Sequence, residues 1–194
     1  MTHIRPYLSW SQLNLWEQDP NEYIRQYVYG EKKPPSKEMD FGSKIAKMLE
    51  TGIMDDGYEF LVNVPRYALA EAVIEIDLPH KKGIVPLLAK LDSVKDDLSA
   101  FYEYKTGKSP WTQARADQNG QVTFYAMCIW LKTRQIPKCS IVWLPTTDNK
   151  GGIKATGELK EFETERSLAD ILAICRRCVE AWQDINSIID KTLF

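Results

Sequence analysis

Leu88-Ala89-Lys90-Leu91-Asp92-Ser93-Val94, a short polar turn, and Phe101-Tyr102-Glu103-Tyr104-Lys105-Thr106-Gly107-Lys108 form the most informative stretch of the chain. Ile84 to Val94 reads as one strand and Ala100 to Thr106 as the next, joined by the polar turn Lys95 to Ser99. With that turn centred between Asp97 and Leu98, Asp92 lies directly across from Glu103. Lys105, two residues on, shares their face. A slip of one residue would separate them. Two like charges facing each other destabilise a sheet, so the pair calls for a counter-charge. Lys105 supplies part of it. A hard divalent cation, which takes carboxylate oxygens, would supply more. Two carboxylates, an ion and a lysine on one face are parts from which phosphodiester hydrolysis can be built. The same residues also read as a solvated strand face with a routine ion pair, and spacing alone favours that plainer account.

Working outward, Ser9-x-x-Gln12 has capping-box spacing and opens a helix with Leu13, Leu15 and Trp16. Pro20 interrupts it, and a second aromatic-rich helical stretch covers Glu22 to Tyr29. Gly30 to Ser36 is a loop. Phe41, Ile45, Met48 and Leu49 mark a helix over Met39–Thr51, stopped by Gly52. Ala72–Leu78 reads as a strand before a turn at Pro79–Gly83. Thr112–Lys132 reads as one helix, Cys139–Leu144 as a buried strand, and Lys150–Gly152 as a turn. A final amphipathic helix presents Leu168, Ile171, Leu172, Cys175, Val179, Trp182 and Ile185. Helices, three strands, a helix, a strand and a last helix imply a single α/β or α+β domain around a central sheet.

The 194 residues suffice for one domain with a proper core. A net charge of −2 argues against a general nucleic-acid coat protein, though not against a local basic groove beside acidic ligands. His3 and His80 are the only histidines, which makes a histidine-rich metal site or a His-based triad hard to build. Cys175 and Cys178 form a C-x-x-C pair inside a helical pattern, without a second pair. They read as small buried hydrophobes. No apolar run approaches the ~18 residues of a membrane helix. The start lacks a signal-peptide core, so the expected location is cytoplasmic, with no membrane association.

Asp92 closing one strand, Glu103-Tyr104-Lys105 on the next, then Thr106-Gly107 and a later Gln121-x-x-x-Tyr125 resemble, in that order, the RecB-like branch of the PD-(D/E)XK nuclease superfamily. Phe41-Gly42-Ser43 opening a helix resembles the family's first motif, and Leu8 to Leu13 its opening helix. The likeness spans residues 7–145. It implies a single restriction-endonuclease-like α/β domain over residues 1–194, with a central mixed β-sheet flanked by helices. It implies a Mg²⁺- or Mn²⁺-dependent deoxyribonuclease, an exonuclease of recombination, repair or phage DNA processing. Asp92 and Glu103 would ligate the metal with the backbone carbonyl of Tyr104, and Lys105 would be the catalytic lysine. Gln121 and Tyr125 would touch DNA phosphate or brace the site; they also read simply as one helix face meeting the sheet.

Two departures qualify the resemblance. Many relatives carry a ligand histidine four residues after the motif glycine, where this chain has Ala46. Glu50, one turn further on, and Glu71 are the candidate substitutes; each also reads as a solvated acid. Other relatives hold a 4Fe–4S cluster on one early and three late cysteines. Gln18-Asp19-Pro20 offers none and only Cys175 and Cys178 lie late, so no iron–sulfur cluster is expected. Lys32, Lys33, Lys37 and Lys44 form one basic group, Lys105, Lys108 and Arg115 another, and Lys81 and Lys82 mark a hairpin tip. DNA would run between the first two groups. Trp10 and Trp111 are candidate base-stacking groups, with core packing the plainer role. Without a helicase signature, the chain would act alone, as a homo-oligomer, or beside a separate helicase or single-strand annealing protein. The alternative is a catalytically decayed nuclease fold that binds DNA or a protein.

Overall fold

The computed structural model describes residues 5–31 and 33–193. Among them, seven strands form one mixed sheet flanked by helices, an α/β architecture. The strands are β1 (Leu8–Ser9), β2 (Leu69–His80), β3 (Gly83–Val94), β4 (Ala100–Gly107), β5 (Lys138–Asn149), β6 (Gly152–Ala155) and β7 (Lys160–Thr164). The α-helices are α1 (Trp10–Gln18), α2 (Pro20–Tyr23), α3 (Lys37–Thr51), α4 (Gln113–Asp117), α5 (Gly120–Thr133) and α6 (Leu168–Leu193). β2 and β3 form a long antiparallel hairpin. β4 and β5 are parallel, joined by a crossover through α4 and α5. β6 and β7 both run antiparallel to β5. No helix among the described residues is long and apolar enough to cross a membrane.

Apolar side chains on both sheet faces account for these layers. β5 is buried without a break from Ile141 to Leu144, with Ile141 and Trp143 in one cluster and Val142 and Leu144 in the other. Such a near-continuous apolar run is what a strand covered on both faces requires. The larger cluster joins Leu87, Leu91, Phe101 and Ile141 to Leu13 of α1, Phe124 and Ile129 of α5, and Ile171 and Ile174 of α6. The smaller lies under α3 and contains Phe41, Ile45, Met48, Leu49 and Leu61. α3 starts where the Ser36 side chain accepts from the Met39 amide, and ends at Gly52 with φ 70°. A Cβ on Gly42 would lie 3.3 Å from Thr106 Oγ1, so glycine lets α3 approach β4.

Several expectations need correction. The stretch Thr112–Lys132 is two helices, broken at Gln118–Asn119, because the Asn119 side chain caps α5 by accepting from the Val122 amide. Ser9 precedes α1 without a side-chain cap. Gln12 instead reaches back to the Tyr7 carbonyl at 3.0 Å. Pro20 sits in the first turn of α2, where its missing N–H costs nothing, and a π-helical turn follows over Ile24–Val28. β1, β6 and β7 were not expected. In α6 the buried stripe is Ile171, Ile174, Cys178, Ala181 and Ile185, whereas Leu168 and Leu172 are about half exposed.

Candidate active site

The β3–β4 turn holds because the Lys95 amide donates to Ala100 and the Ser99 amide to Asp97 Oδ1. Ser93 then faces Tyr102 and Val94 faces Phe101. This register puts Asp92 opposite Glu103, but the ladder stops just before them. Further back, β3 gives the same edge to β1, with Leu8 against Leu87 and Ser9 against Leu88. The edge therefore forks, and Asp92 stands at the fork. In a continued ladder the Tyr104 amide would pair with β3 backbone. It donates instead to Asp92 Oδ2 at 2.7 Å. A strand residue's N–H and C=O point toward the same neighbour, so the Tyr104 carbonyl also faces the fork.

Glu103 is 3% exposed. Its Oε1 accepts from Lys105 Nζ at 2.7 Å. Its Oε2 is buried and, while both carboxyls are ionised, has no hydrogen-bond partner. Lys105 also donates to Gln121 Oε1 at 2.6 Å, and Gln121 Nε2 donates to the Tyr125 hydroxyl at 2.9 Å. Gln121 and Tyr125 are one helical turn apart, so α5 presents both to the sheet. Two of the three N–H donors on the Lys105 ammonium are thereby used. Burial pushes the Asp92 carboxyl above its ordinary value, opposed by the Tyr104 amide and Lys105. Burial, and then the Asp92 charge, push Glu103 up to about 8, with Lys105 opposing and a hydrogen bond from the protonated Glu103 carboxyl to Asp92 adding to the rise. A buried carboxylate oxygen without a partner, beside the half-buried carboxyl of Asp92, is the donor set a hard divalent cation takes. Asp92, Glu103 and the Tyr104 carbonyl are donors of that kind.

The remaining candidates are held by other partners. Glu50 bonds Lys47 at 2.8 Å. Glu71 falls opposite Asp92 in the β2–β3 register, between the Ala70–Ser93 and Ala72–Leu91 pairs, with φ 52°. Its carboxylate is ion-paired with Lys90. Among the described residues no three Asp, Glu, His or Cys side chains gather closely enough to hold a metal. Lys44 bonds Asp55 at 2.7 Å beside the Tyr58 ring. Lys108 bonds Asp148 at 2.8 Å. The Arg115 guanidinium lies 4.2 Å from the centre of the Trp111 ring, and Trp111 is buried. Lys33 pairs with Glu22. Lys32 lies outside the described residues.

Two further side chains neighbour the site: Trp10, which the sequence offered for base stacking or core packing, and Lys90, which it did not single out. A Cβ on Gly120 would meet the Trp10 ring at 2.2 Å, so this indole closes over the residue before Gln121. Lys90 lies two residues before Asp92 on the same strand, and its charge reaches both Asp92 and Glu50. Strand alternation would have found it.

Neither a family model nor a curated protein matches the sequence. Solved structures do match. A candidate exonuclease from Eubacterium rectale superposes with TM-score 0.56 at 11% identity, over 95% of this chain and 80% of that one. LHK-Exo in complex with dAMP superposes with TM-score 0.56 at 15% identity, over 96% of this chain and 91% of that one. At these identities the likeness is one of fold. This chain thus shares its architecture with proteins named as exonucleases.

Proposed function

We propose that this chain is a Mg²⁺- or Mn²⁺-dependent DNA nuclease of the RecB-like PD-(D/E)XK type that hydrolyses phosphodiester bonds from a DNA end. The observation that carries this is the partnerless buried Oε2 of Glu103, beside Asp92 and one bond from Lys105. Asp92, Glu103 and the Tyr104 carbonyl would hold the cation. When bound, such an ion polarises a phosphoryl oxygen and lowers the pKa of a water. Lys105 keeps one N–H donor for a substrate or water oxygen and stabilises charge that develops there. Gln121 holds that ammonium in place, and Tyr125 holds Gln121. Fold likeness to proteins named as exonucleases supports the end-acting reading. Recombination, repair or phage DNA processing, in the cytoplasm, is the setting that suits it. A separate helicase, a single-strand annealing protein or further copies of this chain are the partners.

The test is cleavage of linear DNA with Mn²⁺ or Mg²⁺ by wild type, Asp92→Ala and Lys105→Ala. Cleavage by wild type alone is expected. Equal cleavage by all three would overturn the assignment.

A second reading has its own observation. Ala46 cannot ligate, and Glu50 and Glu71 are both held by lysines. A decayed nuclease fold that binds DNA or a protein would look the same. Calorimetric titration with Mn²⁺ separates the two. Heat that disappears in Asp92→Ala supports the nuclease; no heat alongside normal DNA binding supports the decayed fold.

A further inference from the structure

Arg166 lies between β7 and α6 and is 7% exposed. Its guanidinium donates five hydrogen bonds. Nε reaches Thr123 Oγ1 at 2.7 Å. Nη1 reaches Thr164 Oγ1 at 2.7 Å and the Glu165 carbonyl at 2.8 Å. Nη2 reaches the Ala116 carbonyl at 3.0 Å and the Asn119 carbonyl at 3.2 Å. Every partner is neutral. The balancing carboxylates, Asp117 and Asp170, act on the guanidinium through charge without bonding it. Here the planar fork is used for its geometry, since five donors in fixed directions tie the end of α4, the cap of α5 and the end of β7 together.

What this knot holds is the turn that carries Gln121. Asn119 caps α5 by accepting from the Val122 amide at 2.9 Å. Thr123, bonded by Arg166, lies two residues after Gln121 and so on the opposite side of the helix. Trp10 covers Gly120 between them. Beneath the knot, Thr164 donates to Asp117 Oδ1 at 2.8 Å, and Gln113 ties Asp117 to the Glu163 carbonyl. The first turn of α5 is thus fixed from behind by Arg166, while its front delivers Gln121 to Lys105. Without the knot, the break at Gln118–Asn119 would let α4 and α5 move independently.

We propose that Arg166 is a positioning residue for Lys105, acting through the first turn of α5 and Gln121. This rests on the nuclease reading only for its effect on cleavage; the effect on Lys105 itself does not depend on it.

The experiment has two arms. In the first, nitrogen-15 NMR follows the Lys105 ammonium in metal-free protein. Its hydrogen-bonded protons are expected to exchange slowly in wild type. Arg166→Lys and Gln121→Ala should each speed that exchange, and the double variant should match Gln121→Ala. In the second arm, Mn²⁺-dependent cleavage should fall in kcat by about tenfold in Arg166→Lys with KM unchanged, because small misplacements of a catalytic group act on the chemical step. Adding Arg166→Lys to Gln121→Ala should cost nothing further. If Arg166→Lys fails to fold, Thr123→Val removes one of the five bonds and should show the same non-additivity in weaker form. Independent, multiplying effects of Arg166→Lys and Gln121→Ala, or an unchanged Lys105 signal in folded Arg166→Lys, would overturn the proposal. Absence of cleavage by wild type would sink the nuclease reading, while the NMR arm still decides the role of Arg166.

Discussion

On the back of the first turn of α5, Arg166 has five hydrogen bonds and every partner in place. On the front, Tyr125, Gln121, Lys105 and Glu103 form a chain of similar length that ends on a bare oxygen. Both clusters are polar and substantially buried, and one short piece of helix separates them. A satisfied buried network fixes structure, because breaking any member strands the others. An incomplete one costs stability until something else completes it, and that is how a binding site differs from a brace.

The contrast predicts opposite phenotypes on the two sides. Lys105→Ala should lower metal-dependent cleavage by about a thousandfold or more, the scale expected for a group that stabilises developing charge. Its melting temperature should stay within a few degrees of wild type. Arg166→Met should do the reverse in proportion. It takes one donor from two hydroxyls and three carbonyls, of which only the Ala116 and Asn119 carbonyls keep a backbone donor, and should cost about 2–4 kcal/mol in urea unfolding. A Lys105→Ala protein that loses as much stability as Arg166→Met would erase the distinction between brace and site.

Glu103 sharpens the comparison through pH. In the unfolded chain its carboxyl titrates at the ordinary value; in the fold it is pushed up to about 8. Between those values the folded chain holds a proton that the unfolded chain has released. Metal-free stability should therefore fall as pH rises from about 5 to about 8. Glu103→Gln removes the ionisation and should raise the melting temperature at about pH 8, with little change near pH 5. Added Mg²⁺ should stabilise wild type at the higher pH and leave Glu103→Gln nearly unmoved. Thermal scans across that range check it, and a flat wild-type profile would refute the bare-oxygen account.

How much of this was legible in the sequence follows the range of the interactions. The hairpin register was legible, because turn length and strand alternation are local and set which residues face each other. The fold class was legible too, from the order of apolar periods. β7 was not, since only Phe162 and Thr164 of its five residues are buried and the rest is charged. β1 is two residues long and exists only because β3 offers it an edge. Arg166 was invisible because its partners are carbonyls and hydroxyls up to 50 residues away, and no local pattern encodes a carbonyl. Lys44 and Lys108 showed their charge in the sequence but not the acids that hold them.

That last point carries the smallest effect. Lys108 and Asp148 are both about half exposed, so their bond at 2.8 Å adds little to stability. Lys108→Ala should change unfolding free energy by less than about 0.5 kcal/mol. Its effect on DNA discriminates more. A lysine that leaves Asp148 to bind a phosphate releases a counterion, and losing it should lower the salt slope of binding by about one unit. A lysine that stays with Asp148 contributes no charge to the complex. Asp148→Asn then separates the cases. It should tighten DNA binding at low salt if Lys108 moves between acid and phosphate, because the competitor is gone. If affinity and salt slope are both unchanged in Lys108→Ala and Asp148→Asn, the DNA path does not cross this end of β4. The basic contribution would then have to come from groups nearer the fork, with Lys90 and Lys105 the cations closest to Asp92.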